Sequence, residues 1–222
     1  MIEVKHIRKK YGKKIVLDDI CFQVTSGQRI AIVGKNGCGK TTLMQIMAGV
    51  IKPSGGTISY YGKSPLEDKK YFRKYCGYVP QENPLIEELT VRDNLRLWGA
   101  DKAAGYKQLV EMFQLEPIMK MVVKEMSGGM KRRLSIACAL AEWPPVFILD
   151  EPTAALDMYY KESIRTWMQE YKKMNGIIIM TTHDENEILD SDRCLIMKNG
   201  HLEEVKKDEK MIDSIKSYIQ TS

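Results

Sequence analysis

The chain has 222 residues, 44% of them hydrophobic, which is enough for one large domain with a conventional buried core. Lys and Arg (34) outnumber Asp and Glu (29), and this mild excess does not by itself indicate nucleic acid. No stretch reaches the roughly 20 apolar residues that span a bilayer, and the N-terminus lacks the apolar segment of a signal peptide, so we expect a soluble chain.

The cysteines form no C-x-x-C pair and have no neighbouring His that would complete a zinc site. Their spacing favours free thiols in a reducing cytosol. They are Cys21, Cys38, Cys76, Cys138 and Cys194.

Short apolar runs separated by turn residues predict early strands at Ile2–Ile7, Ile20–Val24, Arg29–Val33 and Thr57–Tyr61. The third strand leads into a glycine-rich loop and a predicted helix, Thr41–Ala48. The fourth follows the turn Pro53-Ser54-Gly55-Gly56, and its β-branched and aromatic residues are expected to pair with the first strands.

A helix-rich region is predicted from about Glu82 to Glu142, where Val91, Leu95 and Trp98 recur at helical spacing. Two fully apolar strands follow, at Val146–Leu149 and Ile177–Met180.

The last twenty residues are charged and carry Ile212, Ile215 and Ile219 on one possible helical face. This narrow apolar stripe is typical of a docked terminal helix rather than of a membrane anchor, because both signs of charge flank it.

This order of elements predicts an α/β fold with a phosphate-loop NTPase core and a parallel central sheet, an N-terminal antiparallel β subdomain and an inserted α-helical subdomain. We expect one domain over 1–222. Residues 1–81 and 143–202 would form the nucleotide-binding core with the β subdomain, 82–142 the helical subdomain and 203–222 a C-terminal helical tail.

The glycine-rich loop, Gly34-Lys35-Asn36-Gly37-Cys38-Gly39-Lys40-Thr41, matches the full phosphate-loop (Walker A) pattern between a strand and a helix. Its glycines let backbone N–H groups face phosphates at the helix N-terminus. We expect Lys40 to reach the β- and γ-phosphates and the Thr41 hydroxyl to bind Mg²⁺. The predicted ATP contacts are Gly34, Asn36, Gly37, Cys38, Gly39, Lys40, Thr41 and Thr42.

Two acids end the strand Val146-Phe147-Ile148-Leu149-Asp150-Glu151. A carboxylate at this end of a parallel strand can hold Mg²⁺, and the next one can orient or deprotonate an attacking water. We assign Asp150 to the metal and Glu151 to the water.

The segment Met126-Ser127-Gly128-Gly129-Met130-Lys131-Arg132-Arg133 resembles the signature motif of the ABC ATPases. The resemblance implies that Ser127, Gly128 and Gly129 bind the γ-phosphate held by an opposite subunit, so that the complete site forms in a head-to-tail dimer. Met130 replaces the usual Gln and Met126 the usual Leu. Met-Lys-Arg-Arg-Leu at this point resembles exporter ATPases for drugs, lipids or glycans.

Further elements similar to those of the family follow in the expected order along nearly the whole chain. The resemblance implies adenine stacking by Tyr11 with Val16 beside it, Mg²⁺ ligation by Gln81, and a dimer-crossing loop at Ala155-Leu156-Asp157. It also implies that His183, directly after a core strand, contacts the γ-phosphate as a catalytic residue with Glu151 and Lys40.

The resemblance implies an ATPase that drives transport, with export favoured over import, through a separate integral membrane permease subunit. This partner would hold it on the inner face of the cell membrane. Either a homodimer or a heterodimer with a second ATPase subunit fits, and no nucleic acid partner is expected. The permease would dock near Pro84 to Trp98. A ribosome- or DNA-acting relative would need a second set of motifs or long coiled coils, and a switch or kinase would need motifs that this chain lacks.

Cys38 lies beside Lys40 at a helix N-terminus, conditions that favour a reactive thiol. We therefore expect that ATP protects Cys38 from alkylation, measured by mass spectrometry of labelled peptides. Equal labelling with and without nucleotide would contradict this prediction.

Overall fold

The computed structural model describes residues 1–65, 67, 72, 74–103, 105–154 and 156–220. Its strands are β1 Ile2–Tyr11, β2 Lys14–Val24, β3 Arg29–Val33, β4 Gly55–Tyr60, β5 Cys76–Val79, β6 Val146–Asp150, β7 Ile177–Thr181, β8 Arg193–Lys198 and β9 His201–Val205. Its helices are α1 Lys40–Met47, α2 Val91–Leu97, α3 Tyr106–Met112, α4 Gly128–Ala139, α5 Met158–Lys173, α6 Glu185–Leu189 and α7 Met211–Gln220.

The central sheet has six strands in the order β5-β6-β7-β3-β8-β9. The first five are parallel, and β9 pairs antiparallel with β8. The carboxyl ends of the parallel strands therefore meet at one edge, where ligands bind in sheets of this kind.

Alternate residues of the central strands face two hydrophobic clusters. Ile30, Ile148 and Ile179 pack on one face with α1 and the antiparallel sheet. Phe147 and Leu149 pack on the other face with the helices of the region 82–142 and with α5. Because both faces are covered, these strands are apolar throughout, as the sequence predicted.

A separate antiparallel sheet has the order β2-β1-β4. β4 pairs with β1, as predicted, but β1 and β2 extend well beyond the apolar runs from which they were recognised. Their additional residues are mostly charged and exposed, and the backbone ladder rather than burial holds them. The predicted α/β class with an antiparallel β subdomain is confirmed.

The region between β5 and β6 contains α2, α3 and α4 and three short 3₁₀ turns, Ala100–Lys102, Glu116–Ile118 and Val123–Glu125. Thr90 caps α2 by accepting a hydrogen bond from the Asp93 N–H at 3.1 Å. Val91 and Leu95 are fully buried on one face of α2, as their spacing predicted.

The end of the chain differs from the predicted tail, because residues through Val205 continue the sheet as β9. Arg193 of β8 and Glu204 of β9 form a two-pronged ion pair, with both N···O distances at 2.8 Å. α7 follows and buries Met211 and Ile215 against the larger cluster. Within the described part of the chain, no helix is both long and apolar enough to cross a bilayer.

Candidate active site

The phosphate loop joins β3 to α1 in a conformation that requires glycine. Gly34 has φ +153°, and a Cβ there would lie 2.7 Å from the Met197 carbonyl oxygen. Gly39 has φ +111°, and a Cβ would crowd Leu17 and Val16 at about 3 Å. The loop therefore wraps closely around the start of α1.

Lys40 is buried inside this loop. Its Nζ donates hydrogen bonds to the carbonyl oxygens of Gly34 at 2.7 Å and Lys35 at 3.1 Å. The Lys35 ammonium has no hydrogen-bond partner among the described residues. Two cations thus lie where the loop's N–H groups and the α1 dipole also favour an anion.

Asp150 lies at the end of β6 and is 1% exposed. One carboxylate oxygen, Oδ1, accepts a hydrogen bond from the Thr181 hydroxyl at 2.5 Å. The other, Oδ2, is buried and has no hydrogen-bond partner among the described residues. A buried carboxylate oxygen without a donor is suited to a hard cation such as Mg²⁺, directly or through water.

Glu151 is the first residue after β6 and has a left-handed backbone, φ +48°. Its N–H donates hydrogen bonds to the hydroxyl and carbonyl oxygens of Thr181, which hold this turn against the end of β7. Its carboxylate lies between two predicted site residues, with Oε2 3.3 Å from Gln81 Nε2 and Oε1 3.5 Å from His183 Nε2. An unusual backbone held by neighbouring strands is typical of functional positions.

The ring of His183 is partly exposed and lies near the Lys40 ammonium and the Glu151 carboxylate. Burial and the nearby Lys40 ammonium lower the pKa of His183 below its ordinary 6.5, and the Glu151 carboxylate opposes them. The imidazole is therefore neutral at pH 7 and can act as both a hydrogen-bond donor and an acceptor.

Lys40, Glu151 and His183 line one cavity of about 740 Å³ at the carboxyl edge of the sheet. The structure brings most of the predicted nucleotide-site residues to it and adds Lys35 and Ile219. The lining consists of Val16, Lys35, Asn36, Gly37, Gly39, Lys40, Thr41, Thr42, Gln81, Glu151, His183 and Ile219.

The C-terminal helix α7 reaches this cavity, which the sequence did not indicate. Ile219 lines the cavity, and the Tyr218 ring lies 5.3 Å from the Lys35 ammonium and 5.5 Å from that of Lys198. The apolar stripe predicted a docked helix. It could not predict that the helix docks beside the phosphate loop, because the contact joins distant parts of the chain.

Some predicted residues do not line the cavity. Tyr11 is 50% exposed at the end of β1, with the Lys9 ammonium 4.9 Å from its ring centre. Cys38 is half-buried and packs toward Gly34 and the smaller of the two hydrophobic clusters. Gly34 and Asp150 are not among the lining residues.

The predicted signature residues lie apart from the cavity in this single chain. Ser127 caps α4, its Oγ accepting from the Met130 N–H at 3.3 Å. Gly128 is exposed, with nothing within 4 Å of the position of a Cβ, whereas a Cβ on Gly129 would lie 2.2 Å from the Tyr160 ring.

The two departures from the signature motif pack into the protein interior. Met126 is buried in the larger cluster, and Met130 is partly buried against it. Asp157, from the predicted dimer-crossing loop, caps α5 by accepting from the Tyr160 N–H at 3.0 Å, and Ala155 lies outside the described residues.

Arg132 is a site residue that the sequence reasoning missed. It extends from α4 toward the carboxyl edge of the sheet and is 4% exposed. Its guanidinium donates to three carbonyl oxygens, those of Pro80 at 2.5 Å, Asp150 at 2.7 Å and Pro152 at 3.0 Å. It therefore connects α4, which begins within the signature motif and is called the signature helix below, to the segments that carry Gln81 and Glu151.

The model of the ABC transporter family matches residues 17–154, more than half of the chain. The sulfate/thiosulfate import ATP-binding protein CysA 2 of Rhizobium meliloti (strain 1021) is 33% identical over 96% of this chain and 61% of its own length. The Nod factor export ATP-binding protein I of Sinorhizobium fredii is 34% identical over 90% of this chain and 60% of its own length. This chain thus spans less than two thirds of these relatives.

Solved structures agree with this match. An ATP-binding subunit of an ABC transporter superposes with a TM-score of 0.84 at 28% identity, covering 100% of this chain and 95% of that one. A dimeric ATP-binding cassette in a post-hydrolysis state with ADP and Pi also superposes with 0.84, at 26% identity, covering 94% of this chain and 99% of that one. The import proteins among the relatives conflict with the expected export direction.

The two signature glycines provide a matched pair of variants. Gly129→Ala forces a methyl group against the Tyr160 ring, so we expect it to lower the free energy of unfolding by about 1–3 kcal/mol relative to Gly128→Ala. Gly128→Ala adds its methyl group in open space at the start of α4, so its stability equals that of the wild type or exceeds it by up to about 1 kcal/mol. Urea unfolding of the three proteins measures the difference, and equal midpoints would contradict the packing argument.

Proposed function

This chain belongs to the ABC transporter family, and we propose that it is the subunit that binds and hydrolyses ATP to drive a separate membrane permease. One observation carries the proposal. Lys40, Gln81, Glu151 and His183 face one cavity at the carboxyl edge of the parallel strands, and the buried Asp150 directly precedes Glu151. This is the arrangement that phosphoryl transfer to water requires.

In the proposed mechanism the phosphate loop holds ATP by its N–H groups and by Lys40. The ammonium exchanges its bonds to the Gly34 and Lys35 carbonyls for bonds to the β- and γ-phosphates. Glu151 orients and deprotonates the attacking water, while Gln81 positions the carboxylate by donating from Nε2. The neutral His183 ring has one N–H, which donates a hydrogen bond to the γ-phosphate when ATP is bound.

Thr41, Gln81 and Asp150 would hold Mg²⁺, which neutralises charge on the β- and γ-phosphates when it is bound. The buried Asp150 Oδ2 atom supports this assignment, because it needs a cation or a water molecule as a partner. Val16 would flank the base or ribose, and Tyr11 would have to turn toward it to stack on adenine.

We infer that the complete site forms between two copies of this domain, or between this domain and a related ATPase. Ser127, Gly128 and Gly129 would bind the γ-phosphate of the opposite subunit, and the exposure of Ser127 and Gly128 supports this role. The absence of a contact between these residues and the cavity of their own chain, among the described residues, also fits a shared site.

A permease partner would hold the chain on the cytoplasmic face of a membrane. The segment after Gln81 supports docking there, because Leu97 is 61% exposed and Ile86 is also exposed. Trp98 of the same segment lines a cleft of about 200 Å³ together with Cys76, Gly77, Tyr78, Cys138, Ala139, Ala141 and Glu142. Exposed apolar surface of this kind is typical of a protein contact.

In this proposal 1–81 and 143–205 form the nucleotide-binding core with the β subdomain, 82–142 form the helical subdomain, and the tail begins after β9. The two hydrophobic clusters on opposite sheet faces support a division between the β and helical parts. Relatives named for import and for export are about equally similar to this chain. We therefore propose that the permease sets the direction of transport.

Glu151→Gln removes the proposed base with little change of shape. We expect hydrolysis to fall about 100-fold or more, because a general base contributes at least this factor. The variant should also elute as a dimer in ATP and Mg²⁺, since bound nucleotide is no longer consumed. Phosphate release and size-exclusion chromatography measure both effects.

Glu116→Gln is the control, because Glu116 is an exposed acid outside the cavity. It should keep wild-type hydrolysis. A Glu151→Gln protein that stays fully active and monomeric with ATP would contradict the assignment of Glu151.

A further inference from the structure

Three side chains with metal-binding atoms meet on the antiparallel sheet, away from the nucleotide cavity. His6 lies on β1, and Asp19 and Cys21 lie on β2. His6 Nδ1 is 2.7 Å from Asp19 Oδ1 and 3.5 Å from Cys21 Sγ. The three ligand atoms all lie within 4.8 Å of one another.

The three ligand atoms surround a common point and are not arranged for proton transfer along a catalytic triad. In a Cys-His-Asp catalytic arrangement, the carboxylate and the sulfur contact opposite nitrogens of the ring. Here both contact the same nitrogen, Nδ1. Nitrogen, thiolate sulfur and carboxylate oxygen around one point form a ligand set that Zn²⁺ uses, with bond lengths of about 2.0–2.3 Å.

The backbone holds this geometry on both strands. His6 and Asp19 have left-handed φ values of +53° and +58°, and the β1–β2 register shifts on either side of Ile7. The His6 N–H also donates to Cys21 Sγ at 3.1 Å, which orients the sulfur toward the ring. These irregularities turn three side chains toward each other that a regular ladder would separate.

The surrounding charges leave the cluster accessible to a cation. Arg8 pairs with Asp18 at 3.2 Å and Lys5 with Glu3 at 3.0 Å, so both neighbouring cations have their own carboxylates. The His6 hydrogen bond lowers the pKa of Asp19, and the charges of Arg8 and His201 lower it further, while burial opposes them. All three ligand side chains are exposed.

We propose that His6, Asp19 and Cys21 form a binding site for a divalent transition metal of the zinc class, with Nδ1, a carboxylate oxygen and thiolate sulfur as ligands. The fourth position is open to solvent, because all three ligand side chains are exposed. The bound ion would fasten β1 to β2, the two strands that lead to Tyr11 and Val16. The site is independent of ATP hydrolysis, so its failure would leave the proposed function untouched.

Cobalt is the probe, because Co²⁺ occupies zinc sites and its thiolate complexes absorb in the near ultraviolet. Tag-free, chelator-treated full-length protein is titrated with Co²⁺ above pH 7 under a reducing phosphine. We expect a sulfur-to-cobalt charge-transfer band that saturates at one ion per chain and disappears when Zn²⁺ displaces Co²⁺.

Cys21→Ser should abolish the band, and His6→Ala and Asp19→Asn should each weaken binding by at least about tenfold. Cys38→Ser is the matched control, because it removes another partly accessible thiol and should keep the band. Thermal melts verify that each variant is folded. A wild-type protein without the band, a band that persists in Cys21→Ser, or one that is lost in Cys38→Ser would overturn the proposal.

Discussion

The geometry of the site depends on the hydrogen bonds that the buried guanidinium of Arg132 donates. Its three hydrogen bonds hold the carbonyls of Pro80, Asp150 and Pro152, which belong to the segments that present Gln81 and Glu151. Burial lowers the pKa of Arg132 to about 10, so it remains charged at pH 7. A charge buried at this point requires these acceptors, and the strand ends are therefore held at fixed distances from the signature helix.

The parts of the site that were predictable are those in which a motif and its structural context occur together in the sequence. The phosphate loop lies between β3 and α1, and Asp150 and Glu151 end a fully buried strand, as expected. Both predictions follow from rules about which end of a parallel strand meets a ligand. The family and the α/β class are confirmed, whereas ATP hydrolysis and the roles of single residues stay predictions.

The features that were missed depend on contacts between distant positions. Arg132 lies in a run of basic residues that resembles a solvated surface, and nothing local reveals that it is buried. Ile219 reaches the cavity only because α7 docks beside the phosphate loop. His6 and Cys21 have no metal-ligand spacing along the sequence, and the pairing of β1 with β2 brings them together. β5, β8 and β9 were not predicted either, and pairing with distant strands of the sheet holds them.

The central claim is that one catalytic site is assembled from the phosphate loop of one subunit and the signature residues of another. The most direct test mixes Lys40→Ala protein with Ser127→Arg protein and measures ATP hydrolysis. Each variant alone should be inactive, while an equal mixture should recover up to about a quarter of wild-type activity, because each mixed dimer contains one intact site. A mixture without activity would contradict a site shared between two copies of this chain, and full activity of Ser127→Arg alone would contradict a shared site of either kind.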